Sequence, residues 1–256
     1  MINRSQIIGI IPARYASTRF PAKLLAPILG KTLIQRTYEN ARRCKALDRL
    51  IVATDHEDIA NHVTSFGGEV VITSPECTTG TERLAEAISH SIECTENDII
   101  VNIQGDEPCL DPDTIVKVAN ILANDSNAVM STAATICRDQ TELQSTSVVK
   151  CVFSQTGDAI YFSRALIPHS KLGVWNAETV YYRHIGLYAY RRDFLLQYMK
   201  LAPTPLQLAE DLEQLKVLEQ GFKIKVAVVE EAAIGVDNPE DIEKIEKILC
   251  NQNTFL

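Results

Sequence analysis

The chain opens with one decisive stretch, Ile7-Ile8-Gly9-Ile10-Ile11-Pro12-Ala13-Arg14-Tyr15-Ala16-Ser17-Thr18-Arg19-Phe20-Pro21-Ala22-Lys23. The apolar, β-branched run over 7–11 ends at Pro12 and predicts a buried strand that leads into a loop. The loop over 14–23 carries three cations and two aliphatic hydroxyls. Ligands of open α/β sheets bind at the carboxyl ends of strands, where guanidinium, ammonium and backbone N–H groups suit phosphate. The stretch therefore predicts a polyphosphate loop, with a solvated basic loop as the simpler alternative.

Predicted strands and helices alternate along the first half of the chain. Further strands are predicted over 50–54, 70–73 and 98–104, and helices over 30–43, 57–66, 81–91 and 113–123. One helical stripe of the first helix holds Leu33, Ile34, Thr37, Tyr38 and Ala41. Asp55 is predicted to cap the second helix, and Gly67 and Gly68 to end it. This alternation predicts βαβ units, and hence an α/β fold with a mainly parallel sheet covered by helices on both faces.

The second half has a different pattern. Paired strands are predicted over 147–153 and 159–162 around a turn at 155–158, followed by a long β-rich run over 180–190. An amphipathic helix over 205–219, a strand over 223–229 and a last helix after Pro239, capped by Asn238, complete the pattern. The prediction is a single domain over 1–256 with a smaller mixed β region inserted at about 140–200.

Composition excludes several classes of function. The formal net charge is −8, and binders of nucleic acid or anionic membranes usually carry a basic surface. The cysteine count of seven is odd and no C-x-x-C pair occurs, which argues against a disulfide framework or a zinc site. The apolar run near the N-terminus is too short for a signal peptide, and no run reaches the length of a membrane span. We expect a cytoplasmic protein with small-molecule substrates.

An acidic loop follows the predicted strand over 98–104. Asp106 suits Mg²⁺, which prefers carboxylate oxygens together with substrate phosphates, and Gly105 allows close approach of the backbone. A turn with solvated acids is the simpler interpretation, but the basic loop belongs at the same sheet edge. No G-x-G-x-x-G motif occurs. Gly30-Lys31-Thr32 resembles the end of a Walker A motif, but Leu25 stands at the position of the first glycine of that motif. Asp237 by itself indicates only a turn or a helix cap.

Several strings, in order along the chain, resemble the sugar nucleotidyltransferases, and within them the 3-deoxy-manno-octulosonate (Kdo) cytidylyltransferases. They are the first loop over 11–23, Ala-Thr-Asp-His-Glu-Asp at 53–58, Gly-Thr-Glu-Arg at 80–83, Asn-Ile-Gln-Gly-Asp-Glu-Pro at 102–108, Tyr-Phe-Ser-Arg at 161–164, Arg-His-Ile-Gly-Leu-Tyr at 183–188, Leu-Glu-Gln-Leu at 212–215 and Gly-Val-Asp-Asn-Pro-Glu-Asp at 235–241. They span nearly the whole chain. Ala22 departs from the expected glycine, and Asn238 replaces a more usual threonine.

The resemblance implies a Rossmann-like fold of nucleotidyltransferase type, Mg²⁺ as cofactor, CTP and Kdo as substrates, and a homodimer that supplies lipopolysaccharide biosynthesis. It implies catalytic roles for Arg14, Lys23 and Asp106, and metal binding by Asp106 and Asp237. The implied CTP-binding residues are Ala13, Arg14, Ser17, Arg19, Lys23, Arg83, Gln104 and Pro108. The implied sugar-binding residues are Gln104, Arg164, His184, Tyr188, Glu213 and Gln214. The run over 180–190 is a candidate dimer contact.

The expected reaction is nucleotidyl transfer, in which the anomeric hydroxyl of the sugar attacks the α-phosphorus of CTP. Three alternatives stay open from the sequence. One is a synthetase that activates nine-carbon sialic acids, against which the Arg183-His184 and Glu213-Gln214 pairs argue. Another is a transferase for a different base or a neutral sugar. The third is a catalytically silent nucleotide-binding module, against which the retention of Asp106 and Asp237 argues.

Overall fold

The computed structural model describes residues 5–16, 20–171 and 175–253. Its strands are β1 (Ile7–Ala13), β2 (Pro27–Ile28), β3 (Lys31–Thr32), β4 (Arg49–Thr54), β5 (Glu69–Ile72), β6 (Ile99–Asn102), β7 (Ala128–Cys137), β8 (Lys150–Phe153), β9 (Ala159–Ser163), β10 (Tyr181–Arg191) and β11 (Lys223–Val229). Its α-helices are α1 (Leu33–Ala41), α2 (Glu57–Ser65), α3 (Gly80–His90), α4 (Pro112–Ala123), α5 (Gln140–Gln144), α6 (Arg192–Tyr198), α7 (Pro205–Glu210), α8 (Glu213–Glu219) and α9 (Asp241–Asn253). A 3₁₀ helix covers Lys23–Leu25. The predicted α/β class with a mainly parallel sheet is confirmed.

The chain divides into two compact units, Met1–Val116 with Ala233–Leu256, and Lys117–Ala232. In the first unit, the parallel strands lie in the order β6-β1-β4-β5. Because β1 has a neighbour on each side, its apolar run is central, and Ile8, Ile10 and Ile11 are fully buried. The loops that follow β1, β4 and β6 therefore share the carboxyl edge of this sheet.

In the second unit, β7 lies between β11, to which it is parallel, and β10, to which it is antiparallel. The predicted pairing of the strands around 147–162 is confirmed, since β8 and β9 are antiparallel and β8 also pairs with β10. The prediction of a single domain with a β region at about 140–200 stays a prediction.

Helix α1 shows how closely the apolar pattern follows the packing. Its buried residues are Leu33, Ile34, Thr37, Tyr38 and Ala41, the predicted stripe. Thr32 caps this helix, since its side chain accepts a hydrogen bond from the backbone of Gln35. The left-handed Gly67 follows α2, as its position in the sequence predicts.

The prediction of one continuous helix over 205–219 is wrong. The helix is interrupted at Asp211, which adopts left-handed backbone angles of φ 52° and ψ 52°, and a second helix starts at Glu213. The sequence interpretation also missed β7, α5 and α6. Within the described ranges, no helix combines the length and apolar content that a membrane crossing requires.

Candidate active site

A lysine and two aspartates meet in the first unit. The Lys23 ammonium lies 2.6 Å from Asp106 Oδ2 and 4.0 Å from Asp237 Oδ1, and it donates a hydrogen bond of 2.7 Å to the carbonyl of Val236. These residues come from the loops after β1 and β6 and from the segment before α9, so three distant parts of the sequence converge. The lysine and Asp106 are largely covered, whereas Asp237 is 57% exposed. The arrangement concentrates charge at the sheet edge that the sequence predicts for phosphate and metal.

Backbone contacts fix these loops against each other. The Val236 N–H donates to the Asp106 carbonyl at 2.9 Å, which ties the segment before α9 to the acidic loop. Close approach favours glycine at position 105, because a Cβ there would make a tight contact of 3.2 Å with the Pro12 carbonyl oxygen. The Thr37 hydroxyl of α1 donates to the Gly105 carbonyl at 2.9 Å. The backbone of the acidic loop at Gly105 and Asp106 is therefore fixed, which limits where the Asp106 carboxylate can lie.

Ala22 precedes Lys23 in a left-handed conformation, with φ 50° and ψ 30°. For a residue with a Cβ this conformation costs about 1–2 kcal/mol. The departure from glycine seen in the sequence thus leaves the loop geometry intact but adds backbone strain beside the ammonium.

The prediction that Asp55 caps α2 is wrong. His56 caps α2 instead, and its ring accepts a hydrogen bond from the Asp58 N–H. The Asp55 carboxylate accepts from the Tyr15 N–H at 3.0 Å and from the buried Arg83 guanidinium at 2.9 Å. It therefore anchors the first loop to the end of β4. The contact of Arg83 with cytosine or ribose stays a prediction.

The other nucleotide-binding candidates surround the same edge. Ala13 ends β1 and is buried, and Arg14 follows it on the surface. Gln104 is half-buried in the turn after β6, where its carbonyl accepts from the Glu107 N–H, and Pro108 is buried just beyond. Ser17 and Arg19 lie outside the described residues.

The residues present fit Mg²⁺. In the described part of the chain no three His, Cys, Asp or Glu side chains form a metal-binding group, so a closed protein cage of that kind is not found there. Mg²⁺ commonly uses one or two carboxylates plus substrate phosphates and water, which matches Asp106 and Asp237. The Lys23 ammonium lies within 4.0 Å of both carboxylates, so the two acids face one positive charge here.

The second unit assembles several of the sugar-binding candidates around an irregularity in β10. Regular pairing would put Gly186 opposite Thr132, but a register shift after Ile185 puts Tyr188 there instead. The rings of His184 and Tyr188 consequently lie with their centroids 5.5 Å apart. The bulge gathers two candidates at one point of the strand.

The contacts around Thr132 favour one tautomer of His184. The hydroxyl of Thr132 lies 2.9 Å from the carbonyl of Leu187 and 3.1 Å from that of Ile185, so two carbonyls are in reach of its one proton. When the proton goes to a carbonyl, the hydroxyl accepts from His184 Nε2–H, 2.9 Å away, and Nδ1 is the acceptor of the ring. Burial lowers the pKa of His184 to about 3, so the ring is neutral at physiological pH.

Gln214 joins this group from the start of α8. The Tyr188 hydroxyl donates to Gln214 Oε1 at 3.3 Å and so fixes the side-chain amide. Gln214 is 3% exposed, and within the described residues its Nε2 has no hydrogen-bond acceptor. Glu213 accepts from the Tyr198 hydroxyl at 3.3 Å. The unpaired Nε2 donor of Gln214 lowers the stability of the fold unless a ligand supplies an acceptor.

Arg164 lies apart from the histidine and tyrosine contacts, at the end of β9. Its guanidinium donates to three carbonyls, those of Glu210, Thr146 and Asp211, at 2.7, 3.1 and 3.1 Å. Each terminal nitrogen carries two N–H groups, and each makes one of these bonds. The planar group is thus held in place while part of its donor capacity remains for a carboxylate.

Sequence reasoning missed the residues that orient this site. The side chain of Thr132 contacts His184, and those of Glu210 and Lys150 contact the backbone of Arg164. Asp55 was predicted as a helix cap, whereas it binds the first loop. A polar residue at a strand end is the only signal that could have indicated Asp55. The others depend on the bulge in β10 and on the helix interruption at Asp211.

Comparison with known proteins identifies the family. The model of a family described as cytidylyltransferase matches residues 8–225. The chain belongs to this cytidylyltransferase family. It is 60% identical over 98% of its length to 3-deoxy-manno-octulosonate cytidylyltransferase of Protochlamydia amoebophila, of which 97% is covered. It is 48% identical over 98% of its length to the Arabidopsis thaliana protein described as mitochondrial, of which 85% is covered.

Solved structures give the same result. The structure of CMP:2-keto-3-deoxy-manno-octonic acid synthetase complexed with CTP matches with a TM-score of 0.90 and 35% identity, covering 97% of this chain and all of that one. A 4-diphosphocytidyl-2C-methyl-D-erythritol synthase from Anaerococcus prevotii matches with a TM-score of 0.63 and 17% identity, covering 96% of this chain and 98% of that one. The second likeness concerns the fold alone.

Proposed function

We propose that the protein transfers CMP from CTP to the anomeric hydroxyl of 3-deoxy-manno-octulosonate, giving CMP-Kdo and pyrophosphate. The observation that carries the proposal is the convergence of Lys23, Asp106 and Asp237 at the carboxyl edge of a parallel sheet. A cation and two carboxylates at that position suit a metal-bound triphosphate. The curated relatives named above supply the identity of the sugar.

The first unit would bind and orient the triphosphate. Lys23 would exchange its contact with Asp106 for a phosphate oxygen, and Arg14, exposed at the end of β1, would bind another through its guanidinium. Both cations would stabilise the charge that develops on the leaving pyrophosphate. Ala13, Ser17, Arg19, Arg83, Gln104 and Pro108 are the remaining proposed CTP ligands.

Asp106 and Asp237 would hold Mg²⁺. When bound, the ion would neutralise charge on the phosphate oxygens. The Asp106 carbonyl accepts a hydrogen bond from Val236, and the Gly105 carbonyl accepts one from Thr37. Because these bonds fix the backbone of the loop, the Asp106 carboxylate would need little rearrangement to bind the ion. A preorganised ligand avoids reorganisation at the moment of reaction.

The second unit would recognise the sugar acid. Arg164 would pair with its carboxylate, and the neutral His184 would accept from a hydroxyl through Nδ1. The buried Gln214 amide would donate to a sugar oxygen, which supplies its missing acceptor. Tyr188 and Glu213 complete the proposed set in this unit, and Gln104 of the first unit is the remaining proposed sugar ligand.

The chemical step is a single displacement. The anomeric oxygen forms a bond to the α-phosphorus as the bond from that phosphorus to the bridging α–β oxygen breaks. Pyrophosphate leaves with the electron pair, and the hydroxyl proton is released to solvent. No covalent protein intermediate is required, so catalysis consists of positioning and charge stabilisation.

Pyrophosphate release tests the proposal. The purified protein with Mg²⁺ would be supplied with each NTP in turn and with either Kdo or N-acetylneuraminate. Release with CTP and Kdo alone supports the proposal. Release with N-acetylneuraminate would assign the sialic-acid activity, and binding of CTP without release from any pair would indicate a silent module.

The proposal extends to assembly and location. We place the enzyme in the cytoplasm, as a homodimer, where its product serves lipopolysaccharide biosynthesis. The run over 180–190 is the proposed dimer contact, and Val180 is 53% exposed. Sedimentation of the purified protein measures the assembly, and a monomer at micromolar concentration would refute that part.

A further inference from the structure

The interruption between α7 and α8 brings a glutamate against the end of β9. The apolar pattern favours one helix over 205–219, yet Asp211 takes a left-handed conformation that is unfavourable for most residues with a Cβ. Such strain persists only where surrounding contacts determine it. The contacts that do so involve Glu210, the residue just before the interruption.

The Glu210 carboxylate accepts three hydrogen bonds from β9 and from the residue after it. Its Oε1 accepts from the Ser163 hydroxyl at 2.6 Å and the Tyr161 hydroxyl at 3.4 Å, and its Oε2 accepts from the Arg164 N–H at 2.9 Å. Burial alone would raise the pKa of Glu210, but these hydrogen bonds outweigh it and the pKa is lowered. The group is therefore ionised and bound at neutral pH.

The same segment also fixes the Arg164 side chain. The carbonyl of Glu210 accepts from Arg164 Nε at 2.7 Å, and the carbonyl of Asp211 accepts from Nη2 at 3.1 Å. In a continuous helix these carbonyls would accept from N–H groups four residues on, so the interruption is what frees them. The ion pair between Arg164 and the exposed Asp211 carboxylate, at 3.6 Å, adds little by comparison.

A buried lysine supports the backbone of Arg164 from the other side. Lys150 is fully buried, and its ammonium donates to the carbonyls of Arg164, Val148 and Ser145 at 2.5, 2.7 and 3.0 Å. Arg164 is thus held at its N–H by Glu210, at its carbonyl by Lys150 and at its guanidinium by three carbonyls. An arginine that only faces solvent would not require contacts at its N–H, its carbonyl and its guanidinium together.

We propose that Glu210 is a positioning residue for the sugar acid. Its carboxylate fixes Arg164 at the end of β9, and the interruption it anchors sets where α8 begins, and hence the positions of Glu213 and Gln214. One residue thereby couples the candidate carboxylate ligand to the candidate hydroxyl ligands. The inference rests on the sugar-binding roles proposed above and assigns Glu210 no contact with substrate.

The test compares two glutamates of the same segment. Glu210→Gln removes the charge from the β9 contacts. Glu219→Gln is the matched control, because exposed Glu219 also accepts backbone N–H groups, those of Leu206 and Gln207, without touching Arg164. Michaelis constants for Kdo and CTP are measured for each variant, with thermal unfolding followed in parallel.

We expect Glu210→Gln to raise the KM for Kdo on the order of tenfold, because small misplacements of binding groups are costly. The KM for CTP should stay within about twofold, since the contacts of Glu210 with Tyr161, Ser163 and Arg164 lie within the second unit. Glu219→Gln should leave both constants unchanged, and Glu210→Asp, which keeps the charge, should recover part of the loss.

Arg164→Lys, measured beside them, separates the sugar contact of Arg164 from its positioning by Glu210. If it raises the KM for Kdo and folded Glu210→Gln does not, the positioning role is wrong while the role of Arg164 stands. If Arg164→Lys leaves the KM for Kdo unchanged, the proposed sugar contact fails and the inference with it. An equal rise in both constants for Glu210→Gln would show a general structural role and overturn the proposal.

A milder variant covers the case in which Glu210→Gln does not fold. Ser163→Ala removes the shortest hydrogen bond to the carboxylate, together with the bond that the Ser163 hydroxyl accepts from the Ala165 N–H at 3.0 Å, and leaves the other two bonds of Glu210 in place. A several-fold rise in the KM for Kdo alone supports the positioning role, and an unchanged KM overturns it.

Discussion

Asp106→Asn separates the charge of the acidic loop from its shape. The amide keeps the size of the carboxylate and can still accept from Lys23, so the fold should be retained. The substitution removes the negative charge of Asp106, whose carboxylate lies 2.6 Å from the Lys23 ammonium. The remaining carboxylate, that of Asp237, lies 4.0 Å from the ammonium, and its side chain is 57% exposed. An exposed carboxylate with mobile solvent around it holds a cation poorly.

The expected loss follows from the role of the metal. A metal ion supplies several kcal/mol of charge stabilisation in such reactions, and losing about 3 kcal/mol lowers the rate roughly a hundredfold. Pyrophosphate release at saturating CTP and Kdo measures it, with Asp113→Asn as the control because exposed Asp113 lies on α4, outside the cluster. The Mg²⁺ concentration giving half-maximal rate should rise for Asp106→Asn and stay constant for the control.

A folded Asp106→Asn enzyme that keeps more than about a tenth of the wild-type rate would refute the metal role, because such a loss is only ~1.4 kcal/mol. Equal losses in Asp106→Asn and Asp113→Asn would indicate a general effect of charge removal instead.

Three further predictions concern strain, protonation and recognition. Ala22→Gly should raise the free energy of unfolding by about 0.5 kcal/mol, since relief of the left-handed strain exceeds the added chain entropy; a lower denaturation midpoint would contradict this. His184, with its pKa lowered to about 3, should give no inflection in the KM for Kdo between pH 5 and 9. In the unfolded chain this histidine gains a proton below about pH 6.5, whereas in the folded protein it stays neutral. The free energy of unfolding of the wild type should therefore fall relative to that of His184→Gln as the pH drops below that value. Parallel curves of unfolding free energy against pH would exclude a neutral, buried His184. Arg164→Lys should raise the KM for Kdo much more than that for CTP, because an ammonium cannot reproduce the guanidinium fork; equal changes would count against a carboxylate contact.

The fold was predictable where one physical signal dominates. Helix α1 follows its apolar stripe, and β1 follows a β-branched run that two neighbours bury. β11 occupies the predicted range. Strand β7 was missed because Ala128–Cys137 is rich in Ala, Ser and Thr, which lack both strong alternation and bulk.

The site was predictable at strand ends and less so elsewhere. Lys23 and Asp106 follow adjacent parallel strands, so sheet topology alone places them near each other. The α7–α8 interruption could not be predicted, because the contacts of Glu210 with Ser163 and Arg164 override a local pattern that favours helix. Gly186 is a local signal for the shift in β10, since an isolated glycine within a strand indicates a bulge, but the pairing of Tyr188 with Thr132 depends on long-range hydrogen bonds.

Pyrophosphate release by the purified protein with Mg²⁺, CTP and Kdo tests the proposed activity most directly. We expect release with this pair and none when UTP, ATP or GTP replaces CTP or when N-acetylneuraminate replaces Kdo. Release that depends on a different nucleotide or sugar, or none with CTP and Kdo from folded protein that binds CTP, would contradict it.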